Sequence, residues 1–334
     1  MTTPAPETVP RGTVVVACYN HERFLESALA SAFGQDEPCD VIVTDDASVD
    51  GSQARIRQLL DEHGWHAELV FHEVNQGICA TFNDALTRVR TPYVAFIAAD
   101  DYARADRMRT QMDVLDAHPE AGVAVNPIGI VDEHDQPTRL QWVDHFPNGW
   151  PPPGALDDPF FSLLQGDWLP APCVLSRTSC LRAVGGYDES LPVEDWDMWI
   201  RILRRWDLRV GVDPLATYRV HPAQMSEAIK VESVVSTWRM QAAVLGKHLG
   251  YRSDADDWMI PRLFIQGVQA YREGARPAEV RPFFLLHARR AGQVRPWVFW
   301  AMARLGVPGR ALARPSAVLA RATGLVRRGP DRGS

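Results

Sequence analysis

Four short polar clusters each follow an apolar run within the first hundred residues, and three of the four contain acidic side chains. The clusters are Tyr19-Asn20-His21-Glu22, residues 45–51 (DDASVDG), Asn75-Gln76-Gly77 and Asp100-Asp101. Carboxylates supply the oxygen ligands that divalent cations take, and they also accept hydrogen bonds from hydroxyls. Adjacent carboxylates such as Asp100 and Asp101 repel each other unless positive charge lies between them. The clusters therefore predict a cation site or a site for a polar, hydroxyl-rich ligand.

Each cluster also has a purely structural interpretation. Asp45, Asp46 and Ser48 could cap a helix that begins at Gly51. The Asn75-Gln76-Gly77 segment could be a simple turn, and the aspartates at 100 and 101 could cap the next helix. The order of the surrounding elements is needed to choose between these interpretations.

The first hundred residues alternate between short β-branched runs and helical apolar stripes. Strands are predicted over residues 13–18, 41–44, 69–72 and 93–98, and helices over 22–33, 51–63 and 77–89. Such alternation with short connections indicates a parallel sheet with helices on both faces, and ligands bind beyond the carboxyl ends of such strands. All four polar clusters follow strand ends. Further along, the pattern predicts strands over 122–131 and 208–220 and a helix over 194–206.

Composition and missing motifs exclude several classes of protein. The net charge of −7 argues against a general nucleic-acid binder, and no apolar run approaches the length that spans a bilayer. The five cysteines contain no CxxC pair, which favours reduced thiols in a cytoplasmic protein. The sequence has no GxGxxG after its first strand, no P-loop and no GxSxG, so a dehydrogenase, a P-loop nucleotidase and a nucleophile-elbow hydrolase are disfavoured.

The order of the segments resembles the inverting glycosyltransferases of family 2. The similar segments are VVVACYNHERFLESALASAFGQ, VIVTDDASVDGS, NQGICATFNDAL, YVAFIAADD, VGGYDESLPVEDWDMWIRI and YRVHPAQMS, which lie within residues 12–226. The resemblance implies an α/β protein with the GT-A fold of nucleotide-diphospho-sugar transferases, in which a Rossmann-like, mostly parallel sheet is flanked by helices. The remaining residues are expected to form a C-terminal helical extension.

The resemblance also implies roles for individual residues. Those expected to bind the donor are Ala17, Tyr19, Glu22, Asp46, Gly77 and Asp100. Asp195 is the expected general base, and Glu194 and Trp196 are expected beside the acceptor. Asp101, Asp100 and His221 are the expected ligands of a Mn²⁺ or Mg²⁺ ion.

One departure from the family pattern concerns the metal motif. The usual DxD would place an aspartate where this sequence has Ala98, so ribose contact and metal ligation stay unassigned between Asp100 and Asp101. Ligation by His221 would favour Mn²⁺ over Mg²⁺. His221 could also be a structural histidine, and Asp195 could form an ion pair with Arg201 or Arg204 on its own helix.

The expected reaction moves a sugar, with inversion, from a nucleotide-diphosphate donor, most readily UDP-linked, to a hydroxyl of a saccharide, lipid-linked or small-molecule acceptor. A sugar-1-phosphate nucleotidyltransferase is an alternative, but it needs a glycine-rich basic loop where this chain has CYNHERF. A non-catalytic nucleotide-sugar-binding subunit is the other alternative.

The expected organisation has four parts. These are a disordered N-terminus (1–11), a GT-A domain (12–228) with a nucleotide-binding half (12–101) and an acceptor-binding half (102–228), a helical region (229–326) and a disordered tail (327–334). Residues 280–330 contain ten arginines and no acidic residue. These basic helices would either lie on an anionic membrane surface, which would place the protein at the inner face of the plasma membrane, or pack as a cap on the catalytic domain.

Overall fold

The computed structural model describes residues 9–191, 193–224, 234–292 and 294–309. The chain forms two compact units, Met1–Gln224 and Met225–Ser334. The predicted boundary at residue 228 and the predicted disordered tail lie outside the described residues, as do residues 1–8. Arg11, the last residue of the predicted disordered N-terminus, is held by Glu37, whose carboxylate lies 2.7 Å from its Nε.

The described strands of the first unit form two sheets. The larger has the order β3 (Glu68–Phe71), β2 (Cys39–Asp45), β1 (Gly12–Cys18), β4 (Tyr93–Ala98), β8 (Val174–Arg177), β6 (Ala121–Val125) and β9 (Asp207–Val210). Only β8 runs antiparallel to its neighbours. The smaller sheet has the order β5 (Tyr102–Ala103), β10 (Ala216–Val220) and β7 (Ile128–Asp132).

Helices cover the larger sheet and make up most of the described part of the second unit. In the first unit they are α1 (Leu25–Phe33), α2 (Ser52–His63), α3 (Ile78–Arg88), α4 (Arg107–Ala117), α5 (Pro159–Gln165), α6 (Thr178–Ala183) and α7 (Asp195–Ile202). In the second they are α8 (Val234–Lys247), α9 (Ser253–Arg272), α10 (Pro277–Ala291) and α11 (Val294–Arg304). None of the helices among the described residues combines the length and apolar character needed to cross a bilayer.

The predicted α/β fold with a mostly parallel sheet is confirmed, and its core explains why the sequence adopts it. All seven residues of β1 are buried, as expected for a β-branched run at the centre of a parallel sheet. On α1 the buried residues recur at helical spacing, at Leu25, Ala28, Leu29 and Ala32, and they pack against the sheet in one cluster with α2 and α4.

Two predicted strands are each divided in the structure. The run over 122–131 separates into β6 and β7 around Pro127, and the run over 208–220 separates into β9 and β10 around Pro214. Proline has no backbone N–H to donate to a ladder, so each strand stops near it. The second halves join β5 in the smaller sheet. This division brings the end of β10, and with it His221, into the neighbourhood of Asp100.

Candidate active site

The carboxyl ends of β1, β2 and β4 lie side by side because the three strands are parallel and in register. Cys18 faces Asp45 across one pair, and Ala17 faces Ala98 across the other. The clusters that follow these strands therefore meet at one edge of the sheet. Of the residues predicted there, Ala17 is buried and Tyr19 is 46% exposed at the rim.

The loops after β1 and β2 are fastened to each other by hydrogen bonds. The backbone N–H of Asn20 donates to Oγ of Ser48 at 2.8 Å, and the side-chain carbonyl of Asn20 accepts from the N–H of Val49 at 2.8 Å. The exposed carboxylate of Glu22 accepts the N–H of Gly51 at 3.0 Å. Glu22, predicted to bind the donor, therefore fixes the position of the neighbouring loop.

Asp46 connects the end of β2 to the start of α3. Its two carboxylate oxygens accept the backbone N–H groups of Gln76 and Gly77, each at 2.8 Å, and Nδ1 of His72 lies 2.8 Å from Oδ1. Gly77 has a φ of +87°, which an L side chain rarely adopts. The carboxylate, 5% exposed as a residue, thus holds the tight turn that begins α3.

Asp100 lies between two histidines from different segments of the chain. Its Oδ2 is 3.0 Å from Nε2 of His221 and 3.5 Å from Nε2 of His21. Burial alone would raise the pKa of Asp100, but the hydrogen bond from His221 and the charge of His21 outweigh it and hold that pKa below its ordinary value. One potential ligand atom from each residue lies within 4.8 Å of the other two. One carboxylate and two imidazoles are a donor set suited to a divalent cation.

Asp101 points elsewhere, although it is adjacent in sequence. Its Oδ1 accepts the backbone N–H of Arg219 on β10 at 2.9 Å, and Nε of Arg219 donates to the backbone carbonyl of Asp100 at 2.9 Å. Burial and the neighbouring Asp100 raise the pKa of Asp101 well above its ordinary value. Asp101 is 1% exposed, so its carboxyl fastens the turn after β4 to the smaller sheet.

A second group of acidic side chains lies at the start of α7. Glu194 precedes the helix and Asp195 is its first residue. Burial and the charge of Asp195 raise the pKa of Glu194 to about 8, and burial raises the pKa of Asp195 above its ordinary value. Asp167 shares a side-chain hydrogen bond with Asp195. Two carboxyl groups can share such a bond only if one of them carries a proton.

Arg201, one of the two arginines expected as alternative partners of Asp195, forms its ion pair with Asp197 instead. Nε of Arg201 lies 2.7 Å from Oδ2 of Asp197, and Nη1 of Arg201 donates to the carbonyls of Val184 and Gly186, each at 2.7 Å. Trp196, predicted beside the acceptor, is 7% exposed, and its indole N–H donates to the carbonyl of Leu163 at 2.7 Å. At this helix start, Glu194 and Asp195 are the half-buried carboxyl groups.

Helix α3 connects the polar residues at the strand edge to the acidic group at the start of α7. Asn83 donates from Nδ2 to the carbonyl of Tyr187 at 2.9 Å and accepts the N–H of Tyr187 on Oδ1 at 2.7 Å. Burial, followed by the charges of Glu194, Asp188 and Asp195, raises the pKa of the Cys79 thiol on the first turn of α3 to about 12. The segment before α7 is therefore fastened to the helix whose start is held by Asp46.

Three residues of this arrangement received no role from the sequence. His21 belongs to a recognised polar cluster, but only the fold shows that it faces Asp100. Arg219 lies two residues before His221 and is 1% exposed, and Asp167 comes from a segment with no motif. Hydropathy patterns do not identify such contacts because each joins residues far apart in sequence.

The fold and the polar strand ends define a GT-A nucleotide-diphospho-sugar transferase architecture. Residues 13–167 match the family described as Glycosyl transferase family 2. This segment of the chain is a glycosyltransferase family 2 domain, as its motifs predicted.

Curated relatives match the chain over part of their length. An uncharacterized protein of Mycobacterium tuberculosis, Rv1520, is 30% identical over 124 residues, which are 36% of this chain and 36% of that protein. Succinoglycan biosynthesis protein ExoO of Rhizobium meliloti is 30% identical over 141 residues, which are 42% of this chain and 39% of that protein. The matched segments therefore span between a third and two fifths of these relatives.

Solved structures share the fold at low sequence identity. A crystal structure of S. aureus TarS 1-349 in complex with UDP-GlcNAc superposes with a TM-score of 0.57 at 17% identity, covering 89% of this chain and 92% of that chain. Mannosyltransferase PcManGT from Pyrobaculum calidifontis, in complex with GDP-Man and Mn²⁺, gives 0.52 at 18% identity, covering 92% and 88%. These similarities confirm the GT-A-type fold.

Proposed function

We propose that this protein is an inverting glycosyltransferase that moves a sugar from a nucleotide-diphosphate donor to an acceptor hydroxyl in polysaccharide or glycoconjugate biosynthesis. The observation that carries the proposal is the grouping of Asp100 and His221 at the strand edge where Asp46 holds the start of α3. The family of residues 13–167 and a relative named for succinoglycan biosynthesis support it.

The donor nucleoside is assigned to the loops after β1 and β2. Oδ1 of Asp46 accepts the backbone N–H of Gln76 and faces the ring of His72. Oδ2 accepts only the backbone N–H of Gly77 among the hydrogen bonds described, so it keeps a lone pair for a ligand. Uracil, thymine and guanine can donate a ring N–H to that lone pair, whereas the ring N3 of cytosine is an acceptor and only its amino group can donate. The exposed ring of Tyr19 offers an apolar face to the nucleoside. We favour UDP, the nucleotide of the TarS complex, and GDP is next.

Asp100 and His221 would hold a divalent metal ion. Their fit to such an ion rests on a buried Oδ1 of Asp100 that has no hydrogen-bond partner among the described residues, and on the pairing of a carboxylate with an imidazole. A nitrogen ligand favours Mn²⁺ over Mg²⁺. When bound, the ion neutralises the charge that builds on the departing diphosphate. Asp101, bonded to Arg219, is assigned to holding the turn.

Asp195 is assigned as the general base. The acceptor oxygen forms a bond to the anomeric carbon on the face opposite the diphosphate, the bond from that carbon to the diphosphate oxygen breaks, and the acceptor proton passes to the Asp195 carboxylate. Configuration at the anomeric carbon is thereby inverted. The raised pKa of Asp195 makes it a stronger base than an exposed aspartate, and Glu194 beside it is assigned to binding acceptor hydroxyls.

The test has a binding part and an activity part. Calorimetry of UDP, GDP, dTDP and CDP, each with Mn²⁺ and with EDTA, is expected to show tight binding of one of the first three only when metal is present. With the matching donor, Asp195→Asn should abolish transfer while nucleotide binding stays within about threefold, because the carboxylate acts on the acceptor. Absence of nucleotide binding would overturn the proposal, and binding without transfer would favour a non-catalytic nucleotide-sugar-binding subunit.

We also propose that the surface of α11 contacts an anionic membrane, which would place the protein at the inner face of the plasma membrane, next to lipid-linked acceptors. Val294, Trp297, Val298 and Leu305 are exposed at helical spacing. Residues 280–309 contain five arginines and no acidic residue. Aromatic and aliphatic side chains flanked by arginine suit the headgroup region of anionic bilayers.

Vesicle sedimentation tests this contact. The full chain is expected to sediment with phosphatidylglycerol vesicles and not with phosphatidylcholine vesicles. Trp297→Glu combined with Val298→Glu should abolish sedimentation, whereas glutamates at the exposed Val49 and Val212 of the first unit should not. Equal sedimentation of the two double variants would argue against the contact.

A further inference from the structure

We propose that His21 is a third protein ligand of the divalent metal ion, so that the ion is held by one carboxylate and two imidazoles from three separate segments of the chain. The inference rests on the metal site assigned above to Asp100 and His221. His21 follows β1, Asp100 follows β4 and His221 follows β10. Their potential ligand atoms all lie within 4.8 Å of one another.

Hydrogen bonding alone leaves this group incomplete. Nε2 of His21 is 3.5 Å from Oδ2 of Asp100, which is long for a hydrogen bond, and that oxygen already faces His221 at 3.0 Å. Nδ1 of His21 and Oδ1 of Asp100 are both buried without a hydrogen-bond partner among the described residues. Buried polar atoms in native proteins are nearly always satisfied, so the unsatisfied Oδ1 of Asp100, beside the two imidazoles, points to a bound partner.

The backbone and packing around His21 hold its ring in place. The backbone N–H of His21 donates to Oγ of Ser52 at 3.1 Å, which fixes this loop against the start of α2. The ring of His21 meets that of His221 edge-on, with centroids 5.9 Å apart, and the ring of Phe24 packs against that of His221 with centroids 4.8 Å apart. Both imidazoles are therefore positioned toward Asp100 before any ion binds, which lowers the cost of ordering them.

The position of His21 also compensates for the alanine at position 98, where the family motif would have an aspartate. The expected motif would supply a carboxylate from the end of β4, but Ala98 has no ligand atom. Ala98 pairs with Ala17 across the β1–β4 register, so the loop that carries His21 leaves the sheet next to it. An imidazole from the neighbouring strand would thus provide the ligand that the alanine lacks. Two nitrogen ligands suit Mn²⁺ better than Mg²⁺ or Ca²⁺. They suit the later transition metals better still.

The first experiment measures Mn²⁺ binding to the full-length protein without nucleotide, by the EPR signal of free Mn²⁺. His21→Ala and His221→Ala are each expected to weaken binding about tenfold or more, since each removes a ligand. His118→Ala is the matched control, because His118 is exposed and pairs with Glu120 away from this group. Melting temperatures of all variants show whether they are folded, and His21→Gln, which keeps a polar side chain of similar size, replaces any alanine variant that is not.

The second experiment counts the nitrogens directly and does not need a variant to fold. Pulsed EPR of Mn²⁺ bound to wild-type protein, made with ¹⁵N-labelled histidine, is expected to show two coupled histidine nitrogens. One coupled nitrogen, with wild-type affinity in His21→Ala and weaker binding in His221→Ala, would overturn the assignment of His21 and leave the two-residue site intact. No Mn²⁺ binding to the wild-type protein, with or without UDP or GDP, would overturn the metal site of the proposed function itself.

Discussion

The backbone N–H of Arg219 donates to Oδ1 of Asp101 at 2.9 Å, and this bond separates the roles of the two adjacent aspartates after β4. Asp101 faces β10, whereas Asp100 faces His21 and His221. The guanidinium of Arg219 completes the link, because its Nε donates to the carbonyl of Asp100. One arginine thus fixes both the backbone and the carboxyl of the pair.

The two aspartates should respond differently to the same substitution. Asp100→Asn is expected to weaken Mn²⁺ binding at least about tenfold, because an amide is a much poorer ligand than a carboxylate. Asp101→Asn should change Mn²⁺ affinity by less than about threefold, because this side chain faces β10 and an amide oxygen can still accept the Arg219 N–H. Calorimetric Mn²⁺ titrations measure both. The reverse order of effects would show that Asp101 is the ligand.

The bonds from Asp46 to the start of α3 predict a coupling between stability and donor binding. In Asp46→Asn one of the backbone N–H groups of Gln76 and Gly77 would face an amide N–H₂ and lose its acceptor, which should cost about 1–3 kcal/mol of unfolding free energy. Nucleotide affinity should fall in the same variant. Urea denaturation and nucleotide calorimetry measure the two effects. Asp61→Asn, on the exposed face of α2, is the control and should change neither.

The sequence predicted the first half of the fold well because local signals and tertiary structure agree there. The β-branched run that became β1 is buried at every position, and the helical stripe of α1 packs on the same core. Each strand is followed closely by a helix, so the parallel order and the common edge of the polar clusters followed from connectivity. The family domain found over residues 13–167 lies mainly in this part.

The site itself was predictable only in part, since its specific contacts are long-range. No local pattern favours Asp100 over Asp101, because the choice depends on Arg219, more than a hundred residues later in the chain. Likewise, Pro127 and Pro214 each divide a run that the hydropathy pattern predicts as one continuous strand. This division determines where His221 lies. Asp167 follows α5 and meets Asp195 at the start of α7, and no periodic pattern indicates this contact.

The raised pKa of Glu194 predicts a pH-dependent stability. The pKa of about 8 in the folded protein lies above the ordinary value of 4.5, so between these pH values the folded state keeps a proton that the unfolded state has lost. The free energy of unfolding should therefore fall with rising pH, by about 1.4 kcal/mol per pH unit for this one group. Glu194→Gln removes the dependence. The free energy of unfolding of Glu194→Gln minus that of the wild type should rise between pH 4.5 and about pH 8, and it should level off above that.

Denaturation of both proteins at several pH values measures the difference. Subtracting the variant from wild type cancels the titrating groups that lie away from Glu194. Asp195 and Asp167 are coupled to Glu194, so the difference reports the titration of this acidic group as a whole. A difference that is flat with pH would mean that Glu194 has an ordinary pKa and is not close to the charge of Asp195.

Asp195 and Asp197 lie two residues apart on α7, yet asparagine substitutions at the two positions are expected to have opposite effects on stability and turnover. Asp197 is 1% exposed and pairs with Arg201, so Asp197→Asn should cost roughly 3 kcal/mol of unfolding free energy by leaving a largely buried guanidinium without its carboxylate. Asp195→Asn should leave stability unchanged or raise it, because it replaces a half-buried acidic group by a neutral one, while transfer is lost. Melting temperature and turnover with donor and acceptor separate the two. Loss of turnover with unchanged stability in both variants would contradict this division of roles.

The segment that carries Asp195 is held by Asn83, and adjacent glycines test this support. A Cβ at Gly186 would lie 2.6 Å from Oδ1 of Asn83, whereas a Cβ at Gly185 meets nothing within 4 Å. Both glycines have positive φ, so alanine at either position should cost about 1–2 kcal/mol of backbone strain. Only Gly186→Ala should also displace Asn83 from Tyr187. We therefore expect turnover to fall at least about tenfold further in Gly186→Ala than in Gly185→Ala, with nucleotide affinity equal in the two, because small displacements of a general base are costly. Equal turnover in the two variants would show that Asn83 does not position Asp195.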